Sequence, residues 1–185
     1  ANQAHSGAPT TITAGFPVDL LWNRQSNAAD DWYVIDRLRG NSPFLLTNST
    51  AAEDTSGTYY SLSSNTTVTD SNHGGSNPLA NYMFRRAPGF FDEVCYTGTG
   101  VARTVNHNLG VVPELMIFKR RSAVSNWDVY AKLTATQETD LLLNSSATGD
   151  TQTYAAAGIF TELLAPLRRI LMLPLPLYQR LLLFI

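Results

Sequence analysis

The chain repeats itself, and this constrains its fold more than any other feature. Pro17-Val18-Asp19-Leu20-Leu21-Trp22-Asn23-Arg24-Gln25-Ser26 is answered by Pro113-Glu114-Leu115-Met116-Ile117-Phe118-Lys119-Arg120-Arg121-Ser122. Trp32-Tyr33-Val34-Ile35 is answered by Trp127-Asp128-Val129-Tyr130, and Arg37-Leu38 by Lys132-Leu133. The block Leu45 to Ala51 is answered by Leu141 to Ala147. Pro17 and Pro113 lie 96 residues apart, and the offset falls by one near the tryptophan. A solenoid repeat runs at roughly 20–50 residues, so this interval suits two tandem small domains instead. Val18–Trp22 is predicted to superpose on Glu114–Phe118, and Trp32–Leu38 on Trp127–Leu133. Two like surfaces in one chain point to a binding or structural protein before an enzyme.

Length and composition agree with this division. A chain of 185 residues makes one ordinary domain or two small ones. Hydrophobic residues are 44% and charged residues 15%, against about a quarter charged in a typical domain. Disorder needs high charge and few apolar residues, so the chain should fold. A net charge of −2 supplies no basic field for nucleic acid. The single cysteine, Cys95, excludes an internal disulfide framework. No charged-then-apolar signal opens the sequence. The glycosylation patterns at Asn48, Asn65 and Asn144 read as chance in so Asn/Thr-rich a chain.

Short apolar or alternating runs are punctuated by Gly, Asn and Pro about every ten residues, which predicts an all-β protein. The expected architecture is two tandem small β-sandwich modules, jelly-roll-like and related by the internal repeat. Residues 1–14 read as an extended lead-in, 15–87 as the first β module and 88–185 as the second. Ala87-Pro88-Gly89 marks the boundary, because Pro-Gly breaks both helix and strand. One helical turn is expected at Ala51-Ala52-Glu53. Trp32 to Leu38 alternates, with Trp32, Val34 and Asp36 on one face and Tyr33, Ile35 and Arg37 on the other.

Phe91-Asp92-Glu93-Val94-Cys95-Tyr96-Thr97-Gly98-Thr99-Gly100, then Val105-Asn106-His107-Asn108-Leu109-Gly110, Pro113 to Arg121, and Trp127-Asp128-Val129-Tyr130 follow one another in order. This series resembles a repeated module of bacteriophage tail and tail-fibre-like structural proteins. The first copy is similar to the module's companion form through Gly15-Phe16-Pro17, Asp19-Leu20-Leu21-Trp22, Arg24, Asp36-Arg37, Arg39-Gly40 and Asn48 to Glu53. The resemblance spans roughly residues 10 to 160. It implies a component of the phage particle, built of β-sandwich modules and often placed in receptor-binding appendages. The first copy lacks the opening strand with its Tyr-Thr-Gly turn, and the end of the second copy departs from the pattern.

The candidate chemistry is sparse. Trp32 and Trp127, with Arg24 and Arg120 at the strand ends, are the candidate glycan-binding residues, because aromatic faces bind sugar C–H surfaces. Against that stand core packing for the tryptophans and a solvated strand end for the arginines. His5, His73 and His107 have no cysteine or carboxylate at metal-ligand spacing, and His107 reads as a turn residue. Asp30-Asp31, Glu53-Asp54 and Asp92-Glu93 are sequence neighbours; on a strand they point to opposite faces, so no pair is a glycosidase dyad. A calcium site at Asp30-Asp31 is the weaker alternative to plain loop acids. No serine sits in a nucleophile elbow, and Cys95 in its apolar strand reads as a small buried hydrophobe.

The expected function is that of a non-enzymatic virion structural protein, a tail fibre or appendage component involved in host attachment. Homo-oligomer contacts, other virion proteins and a host surface glycan are the expected partners; no cofactor, metal, nucleic acid or membrane is. A capsid decoration or scaffold protein without ligand is the first alternative, and a glycan-cleaving tailspike-like enzyme the second. The last 24 residues, Glu162 to Ile185, contain ten leucines and no Gly, Ser, Thr or Asn. Arg168, Arg169 and Arg180 oppose a membrane span, and Pro166, Pro174 and Pro176 oppose a helix. A reading-frame shift near Thr161 is the expected reading, and a genuine leucine-rich end is its alternative. After such a shift the backbone from Leu163 to Ile185 should still trace two strands and a loop of the second module, with poorly fitting side chains.

Overall fold

The structure is a computed structural model that describes residues 2–3, 10–40, 42–57, 59–62, 64–71, 77–99, 101, 103–132, 138–146, 169–172 and 179–184. It divides into two units, Ala1–Arg85 and Arg86–Ile185, just before the expected Ala87-Pro88-Gly89 break. All regular structure among the described residues is β-strand. Ala51-Ala52-Glu53, expected as a helical turn, is irregular chain. Asp54, which follows it, forms a bridge with Phe44 instead.

Unit 1 holds β1 (Asn2–Gln3), β2 (Thr10–Thr13), β3 (Leu20–Gln25), β4 (Tyr33–Asp36), β5 (Leu45–Leu46), β6 (Tyr60–Ser61), β7 (Thr67–Asp70) and β8 (Leu79–Phe84). They form a five-stranded sheet, β1-β8-β3-β4-β5, and a three-stranded sheet, β2-β7-β6. The core draws Leu21, Ile35 and Leu79 from the first sheet and Tyr60 and Val68 from the second, with Val18, Phe44 and Leu62 from the connections. Two sheets that share one buried cluster make a sandwich. Gly15 starts the first repeat block at φ 75°, with nothing within 4 Å of where a Cβ would stand. The backbone angle, not lack of space, calls for glycine there. Polar groups also enter this interior: Asn23 donates to Asn81 (3.3 Å) and hydrogen-bonds Tyr60, whose hydroxyl is pushed up by burial and by Asp70.

Unit 2 holds β9 (Asp92–Thr97), β10 (Arg103–Asn106), β11 (Leu115–Arg120), β12 (Trp127–Lys132), β13 (Glu138–Leu142), β14 (Arg169–Met172) and β15 (Gln179–Phe184). Its large sheet runs β9-β15-β11-β12-β13, and β10 pairs with β14. The core gathers Val105, Leu109, Met116, Phe118 and Tyr130, with Val94 and Tyr96 packed against it. The strand order matches that of unit 1 position by position: β9 stands for β1, β15 for β8, β11 for β3, β12 for β4 and β13 for β5. In the second sheets β10 and β14 stand for β2 and β7.

The ladders correct the expected alignment by one residue. Leu20 opposes Asp36 in unit 1, and Leu115 opposes Ala131 in unit 2. The hairpins therefore match with Leu20 on Leu115 and Trp32 on Trp127 at one constant spacing. Gly15 (φ 75°) then falls on Gly110 (φ 79°). The physical reason is the two-residue period of a strand, in which a one-residue slip exchanges the faces. Leu21 and Ile35 face the first core, and their matches Met116 and Tyr130 face the second. The 96-residue alignment would instead set Leu21 on Ile117, which lies outside that core cluster.

β14 and β15 come from the leucine-rich end. Its backbone traces two strands, as expected, in the sheet positions that β7 and β8 hold in unit 1. The expected loop between them falls on residues 173–178, and the expected side-chain misfit on side chains; both lie outside what the structure describes. Among the described residues no helix is long and apolar enough to cross a membrane.

Candidate glycan-binding surface

The β3–β4 hairpin builds the surface in unit 1. Leu21 and Asn23 turn inward, so Leu20, Trp22 and Arg24 share the outer face. Across the ladder Leu20 opposes Asp36 and Phe84, and Trp22 opposes Val34 and Tyr82. The lower half of this face is covered. Asp36 is fully buried and accepts hydrogen bonds from the backbone N–H (2.7 Å) and side chain of Arg39. Arg39 also donates to the Val34 carbonyl (2.8 Å) and to Glu53 (2.9 Å). The upper half is left to Trp22, Trp32, Tyr82 and Arg24.

These four residues touch. The rings of Trp22 and Trp32 meet edge to face at 6.0 Å. Trp32 and Tyr82 lie 6.0 Å apart with 37° between their planes. The Arg24 guanidinium sits 5.2 Å over the Trp32 ring, a cation–π contact worth about 0.5–1 kcal/mol at an exposed site. Trp22, Trp32 and Arg24 are half-buried, whereas Tyr82 is 53% exposed.

The loop between the strands is stapled by its own polar groups. Asp30 accepts from the Gln25 N–H (2.8 Å), and Arg24 donates to the carbonyls of Gln25 and Ala28 (each 2.9 Å). Asn48 clamps the tryptophan: its oxygen accepts from the Trp32 N–H (3.0 Å), and its amide donates to Asp31 (2.8 Å). Beside the loop, Asn27 donates to Asn77 (3.3 Å) and Asn77 to Gln25 (2.9 Å). Asp30 and Asp31 thus serve the hairpin itself. Among the described residues no three of His, Cys, Asp and Glu gather as metal ligands.

Unit 2 repeats the clamp. Asn144 accepts from the Trp127 N–H (2.7 Å) and donates to Asn126 (3.1 Å). The Thr47 N–H bonds the Trp32 carbonyl (2.9 Å) just as the Leu143 N–H bonds the Trp127 carbonyl (3.0 Å). The surface above it differs. Trp127 is 0% exposed and Lys119 1%. Lys119 opposes Trp127 in the ladder, sits 6.0 Å from its ring and donates to the Ser125 carbonyl (2.6 Å). Burial lowers its ammonium to about 8, partly opposed by Asp128. Ile117 replaces Trp22, and Leu183, opposite Ile117, holds the register position of Tyr82.

Of the four candidate residues, the fold brings Trp32 and Arg24 together. It does not bring Arg120 to Trp127. Arg120 lies one residue beyond Lys119, on the opposite face, because the ladder is shifted by one from the expected alignment. Trp127 is 0% exposed and offers no ring face to a ligand. Tyr82 and Lys119 are the residues that sequence reasoning missed. The signal available for Tyr82 is the alternation from Leu79 to Arg85, which sets Tyr82 and Phe84 on one strand face.

The other candidates have structural places. His107 is buried, its Nδ1 accepts from the Leu109 N–H (3.2 Å), and burial lowers its pKa. Asp92 accepts from the Asn108 N–H (2.6 Å) in the same turn. Asp54 accepts from the N–H and hydroxyl of Ser56 (2.7 and 2.6 Å), which hold its carboxyl below the usual range. Cys95 is half-buried and in no disulfide. His5 and His73 lie outside the described residues.

No curated protein and no solved structure matches the chain. Residues 85–163, less than half of it, match the model of a family described as "Domain of unknown function (DUF7483)".

Proposed function

We propose that this chain is a non-enzymatic structural protein of a bacteriophage particle, a tail-fibre or appendage component that takes part in host attachment. The observation that carries the reading is the use of one strand order and one Asn–Trp clamp in both units. A chain that repeats a module is built to extend a surface, and repeated weak sites in a symmetric oligomer gain avidity through effective concentration. The phage resemblance of the repeat blocks supports the setting. The large sheets end in β5 and β13, and sheet edges in stable proteins are paired or covered. Contacts with further copies or with other virion proteins would cover them.

Immunogold labelling of particles with serum raised against the chain tests this reading. Label at the tail or its fibres is the expected result. Particles that carry no label, or label spread evenly over the capsid, would remove the appendage role.

A further inference from the structure

We infer that the outer face of unit 1 is a shelf for one ring of a neutral glycan, and that unit 2 carries no second shelf. The inference deepens the attachment reading and rests on it. Two features select a sugar. Trp32 and Tyr82 lie 6.0 Å apart with 37° between their planes, and Tyr82 is 53% exposed, so aromatic surface is open on this face. A pyranose offers a matching face of C–H groups to the electron-rich aromatic surface. The second feature is the polar rim at the same end of the sheet. Asn48 holds Asp31 and the N–H of Trp32 itself, and Asn27 holds Asn77 beside the loop. Amide and carboxylate groups fixed in place can meet hydroxyls, which donate and accept at once. Apolar surface with a few fixed polar groups is the usual form of a small-ligand site.

The charge pattern selects a neutral sugar. Arg24 is the cation of the shelf, but it already donates to two backbone carbonyls and covers the Trp32 ring. Asp30 and Asp31 lie in the same loop, so an anionic sugar would meet like charge. Unit 2 lacks the parts. Its tryptophan and its lysine are buried, and isoleucine and leucine stand at the register positions of Trp22 and Tyr82. Each chain would then bind one glycan, and multivalency would come from the number of chains.

Titration of the full chain by NMR, following its three indole N–H signals, tests the inference. The ligands are lactose, maltose, cellobiose and the disaccharide of N-acetylglucosamine, with sialyllactose as the acidic comparator. At least one neutral sugar should move the Trp32 signal and leave Trp127 unmoved. Tyr82→Ala should weaken that binding about tenfold, the loss of one aromatic contact. Tyr82→Phe should keep it, and so should Phe90→Ala, which removes an exposed ring of unit 2. The shelf is overturned if no neutral sugar moves Trp32, if sialyllactose binds better than every neutral sugar, or if Tyr82→Ala binds like the parent. Competition for phage adsorption separates the two readings. A chain that blocks adsorption equally with and without Tyr82 keeps the attachment role and loses the shelf. Sugar binding at Trp32 without any block of adsorption keeps the shelf and removes the attachment role.

Discussion

Arg39→Ala is expected to destabilise unit 1 by about 3–5 kcal/mol, the cost of leaving a buried charge without its partner. Asp36 and Arg39 have fully buried side chains, and Glu53 is 9% exposed. Arg39 meets three acceptors at once: Asp36, Glu53 and the Val34 carbonyl. Truncation leaves the Asp36 carboxylate in the interior with the Arg39 N–H still in place, which cannot neutralise it. The loss therefore comes mostly from the stranded acid. Asp36→Leu combined with Arg39→Met should restore more than half of it, because a buried ion pair replaced by apolar groups is often neutral in stability. Urea unfolding followed by tryptophan fluorescence measures all three proteins. A loss below about 1 kcal/mol for Arg39→Ala, the range of a surface pair, would show that this network is not buried as described.

Trp127→Ala is the matching test in unit 2, with an expected loss of about 3–5 kcal/mol. The ring is 0% exposed and lies beneath Lys119. Its removal opens a large cavity and takes the aromatic face from a lysine that is itself buried. Trp32→Ala should cost clearly less, since Trp32 is only half-buried. The same urea experiment compares the two. Equal losses would mean that both tryptophans sit in like surroundings, against the contrast drawn between the units.

The repeat blocks made the hairpins legible in the sequence. Apolar runs as short as Val18–Trp22 and Leu115–Phe118 are too short for a stable helix and fit buried strands, and the Asn48 and Asn144 blocks already lay in register. The shift by one residue was not legible. Pro17 with Pro113 and Arg24 with Arg120 agree in residue type, and type outweighed face. Only the ladder shows that Leu21 and Met116 share an inward position. The sequence pairs Asn23 with Lys119, whereas the fold pairs it with Phe118, so one sandwich interior is partly polar where the other is apolar. The shelf was half legible. Trp32 and Arg24 are near neighbours in the chain, but Tyr82 reaches them from β8, across 50 residues, through strand pairing alone. Likewise Asp36, Arg39 and Glu53 stood in one recognisable stretch, yet their burial as one network depends on the chain between them folding back over the sheet.

The central claim is that one hydrogen-bonding scheme builds both units, and amide hydrogen exchange at Trp32 and Trp127 tests it most directly. Both N–H groups donate to an asparagine side chain, so both should exchange slowly. Losing such a bond costs about 0.5–1.5 kcal/mol at exposed and part-buried sites like these, which lowers protection roughly 2- to 13-fold. Asn48→Ala should produce that drop at Trp32 and leave Trp127 protected; Asn144→Ala should do the reverse. Protection unchanged in either variant, or lost at both tryptophans from one substitution, would contradict the claim.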